Sequence, residues 1–299
     1  MRFSRLLAAG VLVALAGTAR AAEPDLAYGA YQRGLYRTAF REATLRVEKN
    51  RNDAAAMTLL GELYNQGLGL APDPRKAAEW YRIAAERGDA SAMASLGLMA
   101  LEGRGMDKNP AQGRTWLEQA AAKGNPVASH NLALLLISSA AEADLQRAVE
   151  LLRRAVAHEI PDAQHALGVL YLKGRGIERD ATEAASLFKR AADNGSSVGE
   201  VEYAILLFNG EGVAASESQA ARYFRRAAAK GNAIAQNRLA RLLASGRGVP
   251  QNKVDAAAWH ILAAAQGLSD PWLDDALKGL SKDDRTRAER LAAERLGMR

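Results

Sequence analysis

Apolar residues along this chain fall into two short helical groups, and the grouping returns every 36 residues. Between Asp53 and Asp89, the residues Met57, Leu60, Leu63 and Tyr64 recur at helical spacing, then Gly67, Gly69, Pro72 and Pro74 interrupt them. Ala77, Trp80, Tyr81, Ala84 and Ala85 resume the period. The pattern predicts helix, turn, helix. A small residue marks the same point of each first helix, at Gly61, Gly97, Ala133, Gly168, Ala204 and Ala240, in steps of 36, 36, 35, 36 and 36. A second small residue follows at Ala77, Gly113, Ala148, Ala184, Ala220 and Ala256. Self-similarity at this period predicts a solenoid, in which each unit touches only its neighbours and the surface is long.

The small positions have a packing reason. With no side chain at Gly61 the second helix can approach closely, as Ala77 and Ala84 permit from the other side, and that contact offsets the roughly 1 kcal/mol that glycine costs a helix interior. Gly67 and Gly69 suit a helix C-terminus, where positive φ turns the chain, and Gly88 ends the second helix by the same logic.

The motif LGxxYxxGxG, followed by KAxxWYxxAAxxGD, resembles the Sel1-like repeat, a relative of the tetratricopeptide repeat. Unit four keeps it in Leu167, Gly168, Tyr171, Gly174, Gly176, Asp180, Ala184, Ala191, Ala192 and Gly195; unit six keeps Gly246, Gly248, Val249, Trp259, Ala263, Ala264 and Gly267. The resemblance implies an all-α, right-handed α-solenoid of six units, at 53–89, 90–125, 126–160, 161–196, 197–232 and 233–267. Unit three departs from it. Ser139 and Ala141 stand where the glycine pair belongs, and His158-Glu159-Ile160-Pro161 replaces the closing glycine, so an irregularity or hinge is expected over 137–161.

A solenoid needs ends that cover the apolar faces of its terminal units. Residues 22–52, with Tyr28, Tyr31, Tyr36, Ala39 and Leu45, read as a leading pair of capping helices, and 268–299 as a closing pair. In the latter, Trp272, Leu273, Ala276 and Leu277 predict one helix, while Ser281 with Asp284 is an N-cap signature for another.

The first 21 residues read differently: Arg2 and Arg5 precede an apolar run from Leu6 to Leu15, and Ala19 and Ala21 form a small-residue cleavage site. This is the layout of a secretory signal peptide cut near Ala21, and the run is shorter than the ~20 residues a membrane span requires. A periplasmic or secreted chain is therefore expected, without stable membrane insertion. Export also changes the meaning of the charge. Of 40 Lys and Arg, three (Arg2, Arg5 and Arg20) lie in the leader, leaving 37 against 34 Asp and Glu, a balance that does not argue for nucleic acid. The chain has no cysteine, which excludes disulfides and thiolate metal sites, and its four histidines have no metal-ligand spacing, so no metal or cofactor is expected.

Function then has to lie on the surface. In the resembled family the first helix of each pair lines the concave side, which places the residues one and four after each small position in a groove. The middle four units supply Leu98, Leu101, Leu134, Ile137, Val169, Leu172, Ile205 and Phe208; the outer units supply Glu62, Asn65, Arg241 and Ala244. An exposed apolar column of that size suits an amphipathic helix or extended apolar segment of a partner, unless curvature or a terminal helix buries it. His130 and His165 fall on neighbouring first helices, three residues before their small positions, and as a stacked pair they would titrate near pH 6 to 7 and sense acidification. On the second helices Arg153, Arg154, Lys189, Arg190, Arg225 and Arg226 form a basic stripe able to meet an acidic partner, or simply a solvated face.

Catalytic motifs are formal matches only. Gly195-Ser196-Ser197-Val198-Gly199 fits GxSxG but joins two helices, where a nucleophile elbow needs a strand before it. Ser186 and Lys189 fit the SxxK of penicillin-recognising enzymes without their companion motifs. Arg104, Arg175 and Arg247 sit in GxG turns with neither preceding strand nor Walker lysine. The expectation is a noncatalytic protein–protein interaction module, an adaptor or regulator. Its partner would be another protein, a sensor kinase's external domain or an envelope assembly component, with an envelope enzyme or binder of the β-lactam or peptidoglycan kind as the alternative.

Overall fold

A computed structural model describes residues 25–139 and 141–297, and the expected signal peptide lies outside them. Helices α1 (Leu26–Gln32) and α2 (Tyr36–Lys49) lead into six helix pairs. These are α3 (Ala54–Gln66) with α4 (Pro74–Glu86), α5 (Ala90–Glu102) with α6 (Pro110–Ala122), and α7 (Pro126–Ser139) with α8 (Glu142–Val156). Next come α9 (Pro161–Lys173) with α10 (Ala181–Asp193), α11 (Ser197–Asn209) with α12 (Glu217–Ala229), and α13 (Ala233–Ser245) with α14 (Lys253–Ala264). Helices α15 (Pro271–Leu277) and α16 (Lys282–Gly297) follow. From α1 to α14 each helix packs on its neighbours in the chain, so the array is an α-solenoid; α15 rests on α13 and α14, and α16 returns to pack on α14. The first helices of successive pairs also approach one another, α3 beside α5, α7 beside α9 and α9 beside α11, which sets them on one common face.

Helix starts are written in the sequence. Asp53, Asp73, Asp89, Asn109, Asp180, Ser196, Ser216, Asn232 and Asn252 each accept a hydrogen bond from a backbone N–H of the helix they precede. A cap of this kind contributes about 1 kcal/mol. Ser281 does the same for α16, accepting from Asp284 N at 3.1 Å.

Within a pair, the helices meet on small residues. Ala77, Ala84, Ala184, Ala191, Ala220 and Ala227 are wholly buried. At Gly61 the neighbour is an aromatic ring: a Cβ there would lie 2.7 Å from Tyr81 Cδ1 and Cε1, so glycine makes room for Tyr81 rather than for Ala77 and Ala84 alone. The Tyr81 hydroxyl donates to Glu62 Oε2 at 2.6 Å, and burial together with that carboxylate raises its pKa.

The second glycine of each turn has a further role, at the joint between units. A Cβ at Gly105 would lie 2.1 Å from the Pro74 carbonyl oxygen, and one at Gly212 would lie 2.0 Å from that of Ala181. The turn of one unit therefore rests on the backbone that begins the second helix of the unit before.

Unit three is irregular, and it is braced. Neither Ala141 nor Ile160 gives its helix a side-chain cap, and Glu159 is the only non-glycine with positive φ among the described residues, at 57°. Its carboxylate accepts from Gln164 Nε2 at 2.6 Å, Arg190 Nη2 at 2.5 Å and Asn194 Nδ2 at 3.0 Å. Glu159 thus takes the closing glycine's conformation and ties it to the next unit, a clamp where a hinge is one expectation.

Candidate partner-binding face

The apolar column lies on the first helices and is sunk into their surface. Leu98, Leu101, Ile137, Val169, Leu172, Ile205 and Phe208 are half-buried, packed against the two larger core clusters; Leu134 alone of the eight is exposed, at 43 %. Leu101 covers Gly113, where a Cβ would come within 2.8 Å of Leu101 Cγ. Phe208 lies beneath the Arg247 guanidinium, 4.4 Å from its ring centroid. Part of the column is consequently core, and part is covered by a cation.

The outer positions are structural. Glu62 holds Tyr81, and Arg241 binds Asp270 at the start of α15 through Nε to Oδ2 at 2.6 Å and Nη2 to Oδ1 at 2.8 Å. Asn237 Nδ2 donates to the same carboxylate at 2.7 Å, and the Arg241 guanidinium holds its pKa well below the usual carboxylate range. This cluster fixes α15 against α13 and leaves a cleft of about 330 Å³, with Ile205 and Phe208 on one wall and Trp272 and Leu242 on the other.

His130 and His165 are both half-buried, and burial pushes each pKa below the ordinary imidazole value; Asp162 pulls both the other way, as Glu202 does for His165. The His165 ring packs on Phe188 at 5.7 Å between centroids. Protonation of both is thus opposed, because a charged imidazole is poorly solvated there.

The basic stripe divides into bonded and open members. Arg190 Nη2 reaches the Val156 carbonyl at 3.3 Å besides Glu159, and Arg226 Nη2 reaches the Ala192 carbonyl at 3.3 Å and Glu200 at 2.9 Å. Both guanidiniums bridge one unit to the next. Arg153 donates to the Tyr171 hydroxyl at 3.1 Å and Lys189 to Asp193 at 2.7 Å, while Arg154 and Arg225 are exposed. A continuous run of free cations is not what these residues form.

A column of buried polar side chains escapes the apolar reading. Ser129, Gln164, Glu200 and Gln236, each four residues before a small position, are at most 1 % exposed. Glu200 Oε1 meets both Arg226 Nη2 and Lys230 Nζ at 2.9 Å, and Gln236 accepts from Gln266 at 2.8 Å. The signal available in sequence was a polar residue at one fixed place in otherwise apolar helices. Arg238 and Trp272 of the cleft carry no periodic signal, since they come from one unit and from the segment beyond the repeats.

The formal catalytic matches assemble nothing. Lys189 is engaged by Asp193 beside an exposed Ser186, and Ser196 is the N-cap of α11 with Ser197 its first residue. No cluster of three or more metal-ligating side chains occurs among the described residues, and no described helix is long and apolar enough to cross a membrane.

Among solved structures, a Sel1 repeat protein from Oxalobacter formigenes superposes with a TM-score of 0.71 at 26 % identity, over 80 % of this chain and 98 % of that one. A protective antigen present in uropathogenic Escherichia coli strains shares the fold, with a TM-score of 0.54 at 24 % identity over 88 % of this chain and 64 % of that one. No curated protein is significantly similar to the chain. The family model described as Sel1 repeat matches at 54–89, 90–125, 126–158, 161–196, 197–232 and 233–268, passing over Glu159 and Ile160, where the clamp stands in for the motif. Matched in six units, the chain belongs to the Sel1 repeat family.

Proposed function

We propose that this chain is a noncatalytic binding module that holds another protein along its first-helix face. Repeat folds of this kind generally serve protein–protein interaction, and no residue constellation here suggests bond-making chemistry. The observation that carries the reading is the run from Leu98 to Phe208, half-buried in its packing yet open at Leu134, which ends in the cleft below α15. Such a surface offers apolar contact between polar rims, the usual layout of a recognition groove. The working unit is the array 53–267 closed by helices within 22–52 and 268–299, exported to the periplasm or beyond after cleavage near Ala21. There it serves as an adaptor or regulator, docked on a sensor kinase's external domain or within an envelope assembly.

A photo-crosslinking amino acid placed at Leu134, compared with one at Arg225 on the second helices, tests this in envelope fractions. A discrete protein adduct from Leu134 and none from Arg225 is the expected result. Equal labelling from both positions, or none from Leu134, rejects the middle of the first-helix face as the binding surface.

A further inference from the structure

We infer that the cleft between α11, α13 and α15 receives an acidic peptide segment, a bulky apolar side chain entering the cleft while a neighbouring carboxylate meets Arg238; this rests on the first-helix face being the binding surface. Three guanidiniums line the cleft, and two are already spent. Arg241 is bound by Asp270 and lies 5.3 Å over the Trp272 ring; Arg247 is bound by Glu217 and stacked on Phe208. Arg238 is exposed and makes no hydrogen bond or ion pair with any described residue. With Asp270 and Glu217 each matched to one arginine, the cleft holds one cation in excess.

That cation stands beside apolar surface which the described residues leave partly open. Trp272 is 47 % exposed at the cleft, and Ile205 and Phe208 are half-buried opposite it. A volume of about 330 Å³ is at the small end of binding pockets, suited to one or two side chains rather than a whole cofactor. Val169 and Leu172 pack against the same core cluster as Ile205 and Phe208, so a chain anchored in the cleft can continue along the face. A single free arginine flanked by paired ones does not suit a polyanion, whose binding grows with the number of phosphates neutralised. It does suit one carboxylate, which a guanidinium binds with two parallel hydrogen bonds.

The test uses the mature chain and a displayed library of random short peptides, read by sequence enrichment. The expected winners carry Asp or Glu within two residues of Leu, Phe or Trp, and that acidic excess disappears when the library is selected on Arg238→Ala. The best winner should lose about tenfold in affinity on Arg238→Ala and a similar factor when its carboxylate is changed to the amide. Because Arg238 is exposed, its variant should keep the parent's thermal midpoint, and a second variant, Trp272→Ala, should weaken acidic and amide peptides alike. Winners without acidic excess, no winners at all, or winners indifferent to Arg238→Ala would overturn the inference. The Leu134 crosslink is independent of these results: its persistence alongside them leaves the module reading standing, and its absence with Arg238-dependent winners confines recognition to the cleft.

Discussion

Arg241 and Asp270 join the last repeat to the helix that follows it, with paired contacts of 2.6 and 2.8 Å, and Asp270 at the same time caps α15 by accepting from Trp272 N and Leu273 N. One side chain thus decides both where α15 starts and which face it lies on. Asp270→Ala should cost about 2 to 3 kcal/mol, the sum of a charge-assisted contact and a lost cap, with Arg241 retaining some hydration at 41 % exposure. Asp270→Asn, which can still cap, should cost less. Urea midpoints rank the three proteins. Since the folded-state pKa of Asp270 is depressed, its contribution is present above the ordinary value of 3.8 and is lost as pH falls toward the folded value.

Turn glycines that look alike should respond differently to alanine. Gly105 and Gly124 both have positive φ, 69° and 85°, but an added Cβ at Gly105 strikes the Pro74 backbone while one at Gly124 meets nothing within 4 Å. Gly124→Ala should therefore cost only the left-handed penalty of about 1 to 2 kcal/mol. Gly105→Ala adds overpacking against a neighbouring unit, for about 3 kcal/mol or more. Equal thermal shifts for the two variants would mean that the joint between units is softer than the geometry implies.

The bracing at Glu159 predicts its own pair of variants. Glu159→Gly relieves the positive φ but removes the contacts to Gln164, Arg190 and Asn194; Glu159→Ala loses both advantages. Amide exchange at the start of α9 should accelerate in both, more in Glu159→Ala. In the parent the Gln164 amide, which donates to the Ile160 carbonyl at 3.0 Å, should exchange as slowly as that of Glu200 in α11, which donates to the Ser196 carbonyl at 3.0 Å. Fast exchange in the parent would restore the hinge.

These sites mark the boundary of what the chain discloses before it is folded. Helix pairs, caps and small crossing residues are legible because each unit states them again, and because a local rule (apolar period, N-cap, positive φ) produces each. Gly105 is legible as a turn residue but not as a contact of Pro74, since that closeness depends on how one unit rests on the next. Glu200 reads as one more polar residue until its place four before Ala204 is compared with Gln164 and Gln236. The cleft is least legible: Arg238, Arg247 and Trp272 converge only because Asp270 turns α15 onto α13.

Burial of His130 and His165 yields a prediction with a definite sign. Each binds its proton less readily folded than unfolded, so the unfolded chain takes up protons first as the medium acidifies. Their stabilising contribution is full above the unfolded value near 6.5 and declines below it, and Asp162 and Glu202 limit the decline without reversing it. The thermal midpoint of the parent should fall between about pH 7 and pH 5, and less so in a variant with both residues changed to Gln. An unchanged slope in that variant would assign the acid sensitivity to other groups.

Leu134 and Leu101 separate recognition from folding. Both belong to the apolar column, yet Leu134 is 43 % exposed whereas Leu101 fills the space over Gly113. An aspartate at 134 keeps its hydration, so Leu134→Asp should change the unfolding free energy read from urea melts by no more than about 0.5 kcal/mol, as for an ordinary surface change. An aspartate at 101 is driven into the contact between α5 and α6, and Leu101→Asp should cost about 3 kcal/mol or more. If the first-helix face is where a partner sits, Leu134→Asp abolishes capture of that partner by a protein that melts like the parent. A fully folded Leu134→Asp variant that still captures it would place the binding surface elsewhere, whatever Leu101→Asp does to the fold.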